Sequence, residues 1–330
     1  MALKRIAAAL AVVLASAGAA SAQMVLKASH QFPGGKGDPR DEMVQIVARE
    51  VKAANVGLDI QVFPGASLFK PKEQWGALTK GQLDFALFPL DYAAGRHPQF
   101  SATLMPGLVG NHDRATRLNS SPFMADIKKV IDGAGAMVIA DAWLSGAFAS
   151  KKGCIKGPET IKGQVIRAAG PAFEQMLAAA GASISSMPSS EIYTAMQSGA
   201  LDATNTSSES FVSYRLFEQV KCLTAPGENA LWFMYEPLLI SKQTFDKLND
   251  AQKKAVLAAG KKAEAYFLGE AKKGDAKMIE AFKKAGVEVV EMNKAEYDAW
   301  LKVAETSAYK KFNEEVKGGD ELIKKALSAK

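Results

Sequence analysis

The feature that most constrains this chain is the stretch from residue 162 to 211, where glycines and prolines divide short apolar segments at regular intervals. Val165 and Ile166 are β-branched and apolar, the composition of a short buried strand, and Arg167 closes that strand just before the break at Gly170-Pro171. Pro171 to Gly181 then predicts a helix with Phe173, Met176 and Leu177 on one stripe, and Ser183 to Met187 predicts the next strand. Pro188-Ser189-Ser190-Glu191 opens a second helix, which carries Ile192, Tyr193 and Met196 and ends at Gly199. Leu201-Asp202-Ala203 starts a third strand that runs into the polar cluster Thr204-Asn205-Thr206-Ser207-Ser208-Glu209. Strand, helix, strand, helix, strand is a βαβαβ unit, so the fold class is α/β. Ligands of open α/β sheets bind beyond the carboxyl ends of the strands, and Arg167 stands at such an end. Its guanidinium is either a placed cation, the planar fork matching a carboxylate's two oxygens, or half of an ordinary surface ion pair.

The N-terminus carries a targeting signal. Lys4 and Arg5 precede the apolar run Ile6 to Leu14, and Ala20-Ser21-Ala22 fits the small-x-small cleavage rule, with Gln23 as the first mature residue. The run is too short and alanine-rich to anchor in a membrane, so residues 1–22 are expected to be an export signal and the mature protein to be soluble and periplasmic. What remains of the 330 residues exceeds what one core usually holds, which predicts two lobes. The net charge of +6 is concentrated in Lys-rich helices such as Lys253-Lys254, Lys261-Lys262 and Lys272-Lys273. These alternate with acids, the pattern of solvated helix faces rather than of nucleic-acid binding.

Further along, Val25 to Ser29, Leu58 to Phe63 and Asp84 to Phe88 predict strands, and Asp38 to Ala54 and Pro122 to Gly133 helices. Met137 to Trp143 and Leu231 to Ser241 are apolar enough for buried strands. Asn249 to Gly274 and Asp275 to Gly286 predict two helices, and Asn293 caps terminal helices bearing Tyr297, Trp300 and Leu301. Cys154 and Cys222 are the only cysteines; an exported pair flanking predicted strands is expected to form a disulfide, the alternative being two buried thiols. No nucleophile elbow, HExxH, phosphate loop or dinucleotide fingerprint is present, and His30, His97 and His112 lack ligand spacing, so no catalytic residue, metal or cofactor is expected.

The ordered run Ile161-Lys162-Gly163, Arg167, Ala180-Gly181-Ala182, Met187-Pro188, Glu191-Ile192-Tyr193, Ala195-Met196-Gln197 and Gly199-Ala200-Leu201-Asp202 resembles the substrate-binding proteins of TRAP (tripartite ATP-independent periplasmic) transporters, the DctP-like family. Weaker similarity extends over nearly all of the mature chain. The resemblance implies a two-lobed periplasmic binding protein fold, type II-like, with the ligand cleft between lobes and a long helix spanning both. Lobe I would comprise residues 23–143 plus about 230–270, and lobe II residues 144–229 plus about 271–330. It implies a receptor that passes a small organic acid to membrane permease subunits, with Arg167 gripping the ligand carboxylate and Asn205 or Thr206 donating to its other oxygens.

The resemblance also places the loop after the first strand and the loop after Phe88 at the cleft. His30 is then either a ligand contact or a hydrogen-bonded structural histidine. Asp91 and Tyr92 either face the ligand or cap their own turn. Trp232 and Met234, on the expected return crossing, are either pocket wall or core. Where many relatives carry a second arginine, this chain has Ala147 and Phe148, so a ring-bearing or aliphatic monocarboxylate, such as an aromatic or keto acid, is expected against Trp143 or Phe148. A secreted enzyme acting on a small acidic substrate is the alternative, and it would differ by turnover.

Overall fold

The computed structural model describes residues 23–35 and 37–329, and the expected export signal lies outside them. The first half runs β1 (Met24–Ser29), α1 (Pro39–Ala53), β2 (Leu58–Phe63), α2 (Gln74–Thr79), β3 (Phe85–Leu87), α3 (His112–Leu118), α4 (Pro122–Gly133) and β4 (Ala136–Ala140). There follow β5 (Trp143–Ser150), β6 (Val165–Ala168), α5 (Pro171–Ala179), β7 (Ser183–Ser186), α6 (Ile192–Gln197), β8 (Ala203–Ser207), α7 (Ser208–Ser213), β9 (Cys222–Ala225) and β10 (Trp232–Tyr235). The chain closes with β11 (Leu238–Ser241), α8 (Lys242–Lys247), α9 (Asp250–Lys284), β12 (Glu288–Glu291), α10 (Lys294–Ala304), α11 (Lys310–Glu315) and α12 (Gly319–Ser328).

Two sheets form two lobes. One has the order β2-β1-β3-β11-β4, and the other β12-β9-β5-β8-β6-β7 with β10 paired to β5. The βαβαβ unit of the second lobe is present, with β6 parallel to both β7 and β8. The polar residues Thr204 to Ser207 lie within β8 rather than beyond it, and all are buried.

Each of the two expected crossing strands is in fact two strands. The chain leaves the first sheet after β4, turns at Asp141-Ala142 and enters the second sheet as β5; it leaves that sheet after β10, turns at Glu236-Pro237 and re-enters the first as β11. The Glu236 amide donates to the Ala142 carbonyl at 2.9 Å, so the two crossings run side by side.

Helix α9 is continuous over 35 residues, where the glycine at 274 had suggested a break. At 1.5 Å per residue it is about 52 Å long, enough to pack on α1 and β4 in one lobe and on α7 and β5 in the other. Its glycines serve close approach. A Cβ at Gly260 would strike the Ile139 carbonyl, and one at Gly274 the Glu209 carboxylate. The C-terminal helices touch both lobes rather than the second alone. Trp300 stacks on Phe148, whereas α12 packs on α4 and Lys325 pairs with Asp126 at 2.6 Å. Cys154 and Cys222 form the disulfide. No helix among the described residues is long and apolar enough to cross a membrane.

Candidate functional site

Strand β6 ends against the break at Gly170-Pro171, and this carries Arg167 to the edge of the second sheet facing the first lobe. The side chain is 1% exposed. Its Nε donates to the Met187 carbonyl at 3.0 Å, Nη1 to the Asn205 carbonyl at 2.8 Å, and Nη2 to the Tyr92 hydroxyl of the other lobe at 3.1 Å. These neutral acceptors fix the plane of the guanidinium and leave two of its five N–H groups unused. No carboxylate of the described residues lies within 4.0 Å of it. A buried cation without an anion is costly, so such a group is expected to have one in its working state. Tyr92 also accepts from the Ser189 amide at 3.0 Å and lies 3.3 Å from the Gln31 amide nitrogen, stitching the two lobes at this point.

Around Arg167 lie buried polar atoms that no described residue satisfies. They include both carboxyl oxygens of Asp91 and Oε2 of Glu236. Buried polar groups are ordinarily hydrogen-bonded, so a cluster of exceptions marks a site rather than a core. Asp91 projects from the first lobe onto Gly170, where a Cβ would collide with its carboxylate. Burial pushes the Asp91 carboxyl up to about 8, Glu174 adding to the shift and Arg167 opposing it. Burial likewise raises Glu236 to about 7, against the pull of Arg40.

Arg40 is a site residue that sequence reasoning passed over. It is fully buried above the Phe32 ring, 3.7 Å from its centroid. Nε and Nη2 clamp Asp38 at 3.0 and 2.8 Å, while Nη1 donates to Ser207 and Ser210 at 3.2 and 2.9 Å and Nη2 to Ser213 at 3.3 Å. Glu236 is 3.7 Å away, an ion-pair distance but not a hydrogen bond. All five N–H groups of Arg40 are used, so it bolts α1 to β8 and α7 across the cleft, whereas Arg167 retains donors. Two sequence signals could have found this pair. Arg40 is a cation in the first turn of a helix, against the dipole, and Glu236 is the only charge in the apolar run from 231 to 240.

Several expected contacts stand elsewhere. His30 is fully buried with both nitrogens occupied inside its own lobe, Nε2 by Asp41 at 3.0 Å and Nδ1 by the Phe32 amide at 3.2 Å, so its role there is structural. Trp143 and Phe148 cannot form one wall, because residues five apart on a strand face opposite sides of the sheet. Trp143 donates to Asn119 at 2.7 Å beneath α3, and Phe148 stacks on Trp300 at 5.6 Å in the core. Thr206 pairs with Ala147 and by alternation shares the face of Thr204, the partner of Arg167, whereas Asn205 pairs with Phe148 and its side chain faces the other side of the sheet. Met234 and Trp232 share a face of β10; Met234 is buried, and the Trp232 ring lies across Gly146 with its buried Nε1 unpartnered. A cavity of about 570 Å³ opens beside Trp232, Phe148 and Thr224 in the second lobe, and Arg167 does not line it.

Residues 36–315 match the family model described as bacterial extracellular solute-binding protein, family 7. A solute-binding protein of Albidiferax ferrireducens is 39% identical over 302 residues, covering 90% of this chain and 89% of that one. The crystal structure of a TRAP periplasmic solute-binding protein from Rhodoferax ferrireducens, with bound malonate, superposes with a TM-score of 0.89 at 39% identity, covering 92% of this chain and 98% of that one. The C4-dicarboxylate-binding periplasmic protein DctP of Rhodobacter capsulatus is 24% identical, covering 85% of this chain and 84% of that one.

Proposed function

Because the chain belongs to the family 7 extracellular solute-binding proteins, the periplasmic receptors that work with TRAP permease subunits, we propose that it captures a small carboxylate by a charge-assisted pair with Arg167 and presents it to its permease. The observation that carries this reading is a buried guanidinium held by neutral acceptors from both lobes, with donors left over and no protein carboxylate in contact. A carboxylate entering the cleft exchanges its hydration for those donors, and closure strengthens the pair by excluding water. The ligand shifts the open–closed equilibrium only by its differential affinity for the closed form, where Tyr92 and Arg40 join the lobes.

The malonate of the Rhodoferax protein supports a small acid. Since Trp143 is held by Asn119, Phe148 stacks on Trp300 beside a cavity that Arg167 does not line, and the unsatisfied groups near Arg167 are polar, the reading favours a compact polar acid over an aromatic one. We place the lobe boundaries at Asp141-Ala142 and Glu236-Pro237, which moves β10 to the second lobe, and export by cleavage after Ala22 belongs to the same proposal. Calorimetry with malonate tests it. Arg167→Ala should weaken binding by about 2–5 kcal/mol, and affinity retained within a few-fold would exclude Arg167 as the anchor.

A further inference from the structure

The sequence reading left Asp91 as either a ligand contact or a turn cap. The structure gives it no capping bond: both oxygens are buried, and no donor among the described residues reaches either. Two residues determine where this carboxyl points. Gly170, which opens α5 of the opposite lobe, offers no side chain there, and the Asp91 carboxyl fills the space a Cβ would take. Tyr92, the next residue, accepts from the Arg167 guanidinium, so one short turn brings a carboxyl and a hydroxyl to the end of β6 that carries Arg167. Asp91 and Arg167 feel each other's charge but are not an ion pair within 4.0 Å.

Hydrogen bonding then restricts which acid suits this end of the cleft. Burial raises Asp91 to about 8 and Glu236 to about 7 in the ligand-free closed form, so the cleft is not overfilled with negative charge, and what Asp91 lacks is a donor to its oxygens. A plain hydrocarbon acid offers no donor to the buried Asp91 carboxyl, the costly outcome for an acceptor. An acid with a hydroxyl or ammonium next to its carboxylate donates to Asp91 while the carboxylate takes Arg167.

We infer that Asp91 is the specificity-determining residue of this cleft, reading a hydrogen-bond donor beside the ligand's carboxylate, and that the ligand class is the α-hydroxy or α-amino acids. The inference rests on the Arg167 reading and adds to it the second half of the ligand.

Calorimetric titration of the mature protein with two matched sets tests it: propionate, L-lactate and L-alanine, and succinate, L-malate and L-aspartate. In at least one set the hydroxyl- or ammonium-bearing acid should bind at least about tenfold more tightly than the acid lacking it, since a site built for a donor rejects the analogue without one. Asp91→Ala should bring that ratio to near unity. Asp91→Asn, which keeps an acceptor but not the charge, should spare a hydroxyl ligand and penalise an ammonium ligand, separating the two sources. Equal binding by all members of both wild-type sets would overturn the Asp91 inference and leave the Arg167 reading intact. The absence of binding by all six acids and by malonate at millimolar concentration would overturn both.

Discussion

Replacing Ser210 by Ala removes one bolt between the lobes without disturbing the Arg40–Asp38 clamp. In the closed form Arg40 Nη1 donates to Ser210 Oγ at 2.9 Å, both groups are buried, and Asp38 holds the guanidinium from the opposite side at 2.8 Å. On opening, water replaces the serine, so the bond counts toward closure and little toward the stability of either lobe. A hydrogen bond to a charged group contributes about 1.5–3 kcal/mol, equivalent to roughly a ten- to hundredfold shift of the closed population. Ligand affinity scales with the fraction of molecules able to close, so it should fall by a comparable factor if closure is not already saturated. Calorimetry with the tightest acid would read the affinity, and small-angle scattering the radius of gyration with and without ligand. The thermal melt of the ligand-free protein should stay near that of the wild type. An affinity within twofold of wild type, with compaction on binding unchanged, would refute the view that Arg40 couples closure to capture.

Other consequences follow from the packing. Gly260→Ala should destabilise the protein by about 1–3 kcal/mol in urea unfolding, because the Ile139 carbonyl cannot yield to a Cβ, even though alanine is the better helix former by about 1 kcal/mol. Replacing Cys154 and Cys222 by Ala should cost about 2–4 kcal/mol in the same assay, since the bridge closes a loop with a sequence separation of 68. The ligand-free closed form should loosen as pH rises. Asp91, facing Glu174 and Arg167, and Glu236, facing Arg40, Asp38 and Arg167, are raised to about 8 and about 7, so the closed form holds protons that a solvated carboxyl releases near its ordinary value. The resulting stability is complete below about pH 4 and is lost as pH climbs towards 7–8. Scattering across that window would show expansion in the wild type, and a smaller expansion in Asp91→Asn.

The βαβαβ unit and the strand-end position of Arg167 were legible because both rest on local signals, periodicity and Gly-Pro punctuation, which the fold respects. The crossings were not. Asp141-Ala142 and Glu236-Pro237 interrupt apolar runs only because each chain must leave one sheet for another, a decision made by partners distant in sequence. Gly274 misled for a related reason: glycine ends a helix by its own preferences, but here it remains helical because Glu209 needs the space. In the site, Asp91 could be nominated but not assigned, since its lack of a partner is visible only in three dimensions. Trp143 and Phe148 were expected to share a wall on the grounds of chemistry alone, and strand alternation separates them.

The most direct test of the central claim is a crystal structure of the mature protein with malonate in the cleft. The account expects a malonate carboxylate within hydrogen-bond distance of Arg167 Nη1 or Nη2, about 2.7–2.9 Å, with Tyr92 still bonded to the same guanidinium. Malonate bound in the closed cleft with Arg167 turned away, or paired instead to Asp91 or Glu236, would contradict it.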